Sequence, residues 1–233
     1  VPPYEVLAAR NADYLKGSSS GGVFPALARN VVDDGGVVYG AVMNPDLVVS
    51  HTDAEDMDGI ERMRGSKYVQ SELYASFEDV KDLLEEGRRV MFTGTPCQIA
   101  GLKSYLGKDH PQLLTVDFAC HGVPSPGLWE KYVKSLCLKY GSGIEEVRFR
   151  GKDRSWRQYD LVLNAGDREI VVQHQKDPYM LLFLQDMTLR PSCYKCGFRL
   201  TESDSYVKSC SLSELIHYFY RHRLACRNNF FKL

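Results

Sequence analysis

Two apolar runs stand out along the chain, Val90-Met91-Phe92 and Leu113 to Ala119. Both read as strands buried within a sheet. Between them Ile99, Leu102 and Leu106 recur at helical spacing within Gln98 to Leu106. A strand–helix–strand unit of this kind implies parallel strands with the helix as the crossover. The first run feeds the loop Thr93-Gly94-Thr95-Pro96-Cys97 and the second feeds Cys120-His121-Gly122. Parallel strands share a direction, so both cysteine loops are expected at the carboxyl edge, where such sheets bind ligands.

The same pattern organises the flanks. Val23 to Val32 reads as a short amphipathic helix with Pro25 in its first turn and Ser20 or a neighbour as N-cap. Val37 to Val42 reads as a strand, and Leu47 to Ser50 as an antiparallel partner across the turn Asn44-Pro45-Asp46. A polar helix is expected over Ala54 to Met63. A second, with Phe77, Val80, Leu83 and Leu84 on its apolar face, ends at Gly87. After the central unit, Leu128, Tyr132, Val133 and Leu136 mark the inner face of another helix, to which Cys137 belongs as an ordinary packing residue. Val147 to Arg150, Tyr159 to Leu163 and Glu169 to Gln173 read as antiparallel strands, and Asp177 to Met187 as mixed helix and loop. The expected fold is α/β: a mixed, largely parallel central sheet flanked by helices, with a smaller antiparallel β region.

Composition narrows the class. With 44% hydrophobic and 25% charged residues the 233-residue chain is ordinary for a soluble globular protein. A net charge of −1 offers no field for nucleic acid. No apolar run approaches the roughly 20 residues of a membrane span, so no membrane insertion is expected. The start, Val1 to Lys16, lacks the basic and apolar regions of a signal peptide. Seven cysteines, an odd number, argue against a purely disulfide framework. Clustered thiols without an export signal point to the cytoplasm and to metal or redox chemistry.

Cys193-x-x-Cys196, with Cys97 and Cys120, makes four thiolates. Four suit a cubane iron–sulfur cluster or a structural zinc, and unrelated thiols are the third reading. Cys97 and Cys120 stand singly, whereas structural zinc usually takes two local pairs. His121 is the candidate for proton transfer; alternatively it hydrogen-bonds its own loop. Lys16-Gly17-Ser18-Ser19-Ser20-Gly21-Gly22 precedes a helix and can cradle phosphate with backbone N–H groups, or merely turn and cap. Arg64 to Ser71 is rich in groups that hold an anionic or aromatic ligand, or is a solvated loop. Two functions from different classes remain at this point: a redox enzyme, and a zinc-stabilised binding module.

Five motifs occur in order: Ser18-Ser-Ser-Gly-Gly-Val-Phe24, Arg64-Gly-Ser-Lys-Tyr-Val-Gln-Ser71, Phe92-Thr-Gly-Thr-Pro-Cys-Gln-Ile-Ala-Gly-Leu102, Cys120-His-Gly-Val-Pro-Ser125 and Arg190-Pro-Ser-Cys-x-x-Cys196. Together they resemble the coenzyme F420 hydrogenase/dehydrogenase beta-subunit family over roughly residues 4 to 200. The resemblance implies a family domain over residues 1–200 and an atypical tail over 201–233. It implies an iron–sulfur flavoprotein that passes electrons between a cluster and a small-molecule substrate through FAD. Known substrates of the family include the deazaflavin coenzyme F420 and, in a plant relative, a chlorophyll derivative. Ferredoxin or a redox partner subunit would be the electron source or sink. Cys97, Cys120, Cys193 and Cys196 would be ligands of a [4Fe-4S] cluster; His121, already the candidate for proton transfer, is the expected catalytic residue. Ser19, Ser20, Gly21 and Gly22, with Ser66, Lys67, Tyr68, Gln70 and Thr95, would bind the flavin. The tail departs from the family pattern, since Thr201-Glu-Ser-Asp-Ser-Tyr-Val-Lys208 follows the last pair and no Trp follows Trp156. This departure keeps a further reading in view, a family member that folds without its cofactors.

Overall fold

The computed structural model describes residues 10–118, 120–141, 143–151 and 159–198. Its centre is a four-stranded sheet built from β1 (Val37–Met43), β2 (Val49–Ala54), β3 (Val90–Thr93) and β4 (Leu113–Val116), in the order β2-β1-β3-β4. β1, β3 and β4 are parallel and β2 is an antiparallel edge strand. Alternation divides the side chains between two faces. Val38, Val42 and Met91 pack against Ala28 and Val31 of α1 (Val23–Asp33) and Ile60 and Met63 of α2 (Met57–Met63). Val37, Tyr39, Val90 and Phe92 pack against Val80 and Leu84 of α3 (Ser76–Glu85) and Ile99 and Leu102 of α4 (Pro96–Leu106). Full burial of one such side chain contributes about 1.5–3 kcal/mol, so both faces hold the sheet.

The second sheet is an antiparallel meander of β5 (Glu146–Gly151), β6 (Asp160–Ala165) and β7 (Arg168–Gln173). Val147, Phe149, Leu161 and Leu163 pack with Trp129, Tyr132 and Leu136 of α5 (Pro126–Tyr140) and with Tyr179 and Met180 of α6 (Pro178–Leu184). Cys137 lies against this core. Leu47 and Val49 join the same cluster, and Trp129 Nε1 donates to the Leu47 carbonyl at 2.7 Å. A short helix, α7 (Pro191–Tyr194), ends the described chain together with the turn around Cys196.

The mixed, largely parallel sheet flanked by helices and the separate antiparallel sheet are as expected. Several boundaries are corrected. β2 runs to Ala54, beyond the expected Ser50, and α2 begins only at Met57. The polar run Ser50 to Asp53 reads as non-strand by composition, yet it completes the ladder with β1, pairing Ala41 with His51 and Tyr39 with Asp53. β4 stops at Val116 instead of continuing to Ala119. The N-cap of α1 is Gly22, not Ser20; its φ of 74° is left-handed, and no side chain caps the helix. A Cβ there would lie 2.9 Å from the Asn11 carbonyl, so the position takes glycine. Cys97 falls in the first turn of α4 and not in the loop before it. The expected tail, residues 201–233 with Cys210 and Cys226, lies outside the described residues, as does Trp156.

Candidate functional site

Thr95 is the N-cap of α4 and Pro96 its first residue, a favoured pairing because proline lacks the N–H that would go unbonded there. The Thr95 N–H donates to Gln98 Oε1 at 2.9 Å, and Thr95 Oγ1 lies 3.1 Å from Cys97 Sγ. These contacts hold an exposed Cys97 beyond the carboxyl end of β3. Cys120 follows β4 at the same edge, half-buried. Burial pushes its thiol up, and the thiols of Cys97, Cys193 and Cys196 add to that by charge; the Gly122 N–H acts in the opposite sense. Among the described residues no three His, Cys, Asp or Glu side chains converge as a ready metal-ion site.

The Cys120 loop and the Cys193–Cys196 turn pack directly together. Gly122 has a φ of 122°, and a Cβ on it would meet Leu189 at 2.8 Å and Cys193 Cβ at 3.3 Å. Pro124 and Leu189 form an antiparallel bridge, and the Arg190 N–H donates to the Val123 carbonyl at 3.0 Å. Among the described residues, His121 bonds to the segment at the end of α6 and not to its own loop. Its Nε2 lies 2.8 Å from Asp186 Oδ1 and 3.1 Å from the Phe183 carbonyl, and its ring meets the Phe183 ring edge-on. Asp186 has a φ of 59°, and its carbonyl accepts from the Tyr194 hydroxyl.

A cavity of about 820 Å³ opens at the carboxyl end of β1. Its walls are Leu15–Ser19, Met43–Pro45, Arg64–Lys67 and Glu145–Gly151, with Glu61 and Arg62. That size is within the usual range for small-molecule sites. Ser19 accepts from the Ser66 N–H at 2.8 Å, tying the first wall to the third. Arg64, whose side chain is 10% exposed, anchors the first wall through the carbonyls of Tyr14 (2.9 Å) and Lys16 and through Ser18 Oγ (3.2 Å). Lys67 turns its ammonium onto the carbonyls of Arg62, Met63 and Arg64 at 3.2, 2.8 and 2.8 Å. Burial pushes that ammonium down to about 7, while three carbonyls at a helix C-terminus favour the charge. All three of its protons have acceptors in the loop, so Lys67 shapes the wall more directly than it presents a free cation.

Ser19, Ser66 and Lys67 line the cavity, whereas Ser20, Gly21, Gly22, Tyr68, Gln70 and Thr95 do not. Ser20 is exposed and Gly22 is buried beneath the Asn11–Tyr14 backbone. The Tyr68 ring lies against Phe149 and Phe183, at centroid distances of 5.5 and 4.9 Å. Gln70 Oε1 accepts from Arg190 Nη1, and Thr95 stands beside Cys97.

Three contributors were not found by reading the sequence. His51 is buried and joins Ser71 Oγ (2.6 Å) to the Thr93 carbonyl (2.8 Å) while stacking on Phe92. Burial lowers its pKa, so the neutral ring donates from Nε2 to Thr93 and accepts from Ser71 at Nδ1. Arg148 and Arg150 come from β5, far along the chain, and the Arg150 guanidinium sits 4.6 Å over the Tyr159 ring. A histidine inside a polar strand and arginines on an outward strand face carry no local signal of a site.

The family defined by the C terminus of the coenzyme F420 hydrogenase/dehydrogenase beta subunit matches residues 87–206, more than half of the chain. The chain belongs to the coenzyme F420 hydrogenase/dehydrogenase beta-subunit family. No curated protein matches the sequence. Among solved structures, a chain of the F420-reducing [NiFe] hydrogenase complex from Methanosarcina barkeri, in a xenon derivative, is similar in fold. The TM-score is 0.53 at 20% identity, covering 80% of this chain and 63% of that one. This family member thus spans 63% of the length of that relative. No helix of the described residues is long and apolar enough to cross a membrane.

The family implies flavin and iron–sulfur groups, and the residues fit them in donor chemistry. Cys97, Cys120, Cys193 and Cys196 are unbridged, and four thiols are the number a cubane takes. Each would bind its own iron, which asks for less convergence than one shared ion. The cavity walls carry more cations than carboxylates, which suits a pyrophosphate.

Proposed function

We propose that the chain is an iron–sulfur flavoprotein oxidoreductase, acting between single-electron carriers and a small organic molecule or the deazaflavin coenzyme F420. One juxtaposition supports the reading above all. Cys97 and Cys120 follow neighbouring parallel strands at one edge, the Cys120 loop packs on the Cys193 turn, and a cationic cavity opens at that same edge. In this reading Cys97, Cys120, Cys193 and Cys196 hold a [4Fe-4S] cluster, and FAD occupies the cavity. Flavin, when bound, supplies the conversion between one-electron and two-electron transfer. Everything else falls to side chains of this chain.

Ser19 and Ser66 close the cavity wall, and Arg62 and Arg150 offer guanidinium groups to an anionic ligand, while Arg148 is held by Glu169 at 2.7 Å. Ser20 to Gly22 and Thr95 support these walls and the Cys97 turn from behind. Tyr68 carries the contact inward, since its ring touches Phe183, whose carbonyl faces His121 Nε2. His121 is the proton carrier, oriented by the Asp186 carboxylate at 2.8 Å. A ferredoxin or a partner subunit exchanges electrons at the exposed Cys97 side. The cytoplasm, where thiols stay reduced, is the compartment that suits this chemistry. The domain over residues 1–200 does this work, with 201–233 as an appended tail.

The test is an anaerobic ultraviolet–visible spectrum with iron, sulfide, zinc and flavin analysis on one sample. Iron and sulfide near four per chain with bound flavin are expected. Zinc alone would overturn the reading in favour of a binding module, and a chain that takes up nothing after reconstitution would leave only the fold.

A further inference from the structure

Arg190 makes three contacts with three different segments. Its N–H donates to the Val123 carbonyl, in the loop that follows Cys120. Its own carbonyl accepts from the Cys193 N–H at 2.8 Å, setting the turn that carries the Cys-x-x-Cys pair. Its guanidinium donates to Gln70 Oε1, on the loop whose earlier residues, Arg64 to Lys67, wall the cavity. Gln70 in turn stands next to Ser71, which His51 ties to Thr93 at the end of β3.

The backbone contacts of Arg190 belong to the thiol side alone, and its side chain alone crosses to the cavity loop. Removing the side chain therefore cuts the crossing and leaves both backbone bonds. Arg190 is exposed and Gln70 half-buried, so neither replacement opens a hole in a core. A second bridge runs in parallel, from Tyr68 through Phe183 to His121, and it is apolar and packed. The polar bridge is the one that a change in either loop can make or break.

We propose that Arg190 and Gln70 are positioning residues that couple the two cofactor sites, so that filling one strengthens binding at the other. The inference rests on the reading of the thiols as cluster ligands and the cavity as the flavin site. Ordering the Cys193 turn around a cluster holds Arg190 still, which holds Gln70 and its loop. Ordering the loop around FAD acts in reverse, because coupling between two sites is reciprocal.

The experiment compares FAD affinity, by quenching of flavin fluorescence, in cluster-free protein and in protein reconstituted with iron and sulfide. The wild-type ratio should be about five-fold or more, the lower end of ordinary site-to-site coupling. Arg190→Gln and Gln70→Ala should each bring the ratio close to one, and the double variant should add nothing further. Arg190→Lys, which can still donate one bond, should keep part of it. Conversely, FAD should protect wild-type iron from a chelator and fail to do so in the variants. A wild-type ratio of one, or variants that keep the wild-type ratio, would overturn the coupling. If Arg190→Gln takes up no iron, Gln70→Ala, whose change is remote from the cysteines in sequence, makes the same comparison. A chain that binds both groups independently defeats the coupling alone, whereas one that binds neither defeats the proposed function.

Discussion

In the three-stranded sheet, Val147, Phe149, Leu161 and Leu163 are 6% exposed or less, and they face an aromatic cluster of Trp129, Tyr132 and Tyr179. At the carboxyl edge of the four-stranded sheet the contacts are of another kind. There Arg64, His51, Arg190 and Asp186 each join segments distant in sequence through a few polar bonds. Apolar burial is non-directional and scales with area, so the first region tolerates little loss of volume and does not depend on angle. Hydrogen bonds are directional and of small net worth each, about 0.5–1.5 kcal/mol. The second region can thus be altered one bond at a time while the fold persists. A site that must admit and release ligands is better placed on the second kind of framework.

The largest effect should come from the first region. Trp129→Ala removes an indole whose ring packs tilted or edge-on against Tyr132, Phe149 and Tyr179, and a bond to Leu47. A loss of about 3–5 kcal/mol is expected in urea unfolding. The folded fraction should still take up iron, and a selective loss of iron would erase the contrast between the regions. Arg64→Ala comes next. It frees the Tyr14–Ser18 wall and should cost about 2 kcal/mol, with weaker FAD binding as the companion readout; unchanged affinity would detach that wall from the site.

His51→Gln should cost about 1 kcal/mol at neutral pH, and its signature is in the pH dependence. Burial lowers the folded-state pKa of His51 below its ordinary 6.5. Below about 6.5 the unfolded chain binds a proton that the folded chain does not. Stability therefore falls as pH falls, by at most about 1.4 kcal/mol per pH unit, until the folded pKa is reached. Urea midpoints at pH 7.5 and 5.5 should converge in the variant by that amount, and equal pH slopes in the two proteins would show that His51 does not carry it. Cys97→Ser should have the smallest effect on stability, within about 0.5 kcal/mol, because the residue is exposed. Its effect on iron content should be the sharpest, and full retention of iron and of thiolate charge-transfer absorption would remove Cys97 from the ligand set.

Where the sequence succeeded, the signal was local. Val90-Met91-Phe92, the α4 periodicity and Leu113 onward specify a buried parallel unit, because a strand covered on both faces must be apolar throughout. That unit alone was enough to bring Cys97 and Cys120 to one edge. Where it failed, the decisive interaction was distant. Ser50 to Asp53 became strand through pairing with β1 and not through their own propensity. The serine–glycine turn read as a phosphate cradle contributes Ser18 and Ser19 to the cavity, while Gly22 is buried in a left-handed cap.

The sequence by itself determined the family, the class of fold and the thiols that share an edge, since apolar period and glycine or proline placement act over a few residues. Tertiary structure alone decided which walls enclose the cavity and which polar side chains tie it to the thiols. Arg150 reaches the cavity only because β5 folds beside it, Lys67 turns to a helix end instead of outward, and Arg190 meets Gln70 across the fold. A hydrogen bond is decided by the few ångströms and degrees between its two partners, and residues so far apart in the chain acquire that geometry only when the whole core has packed.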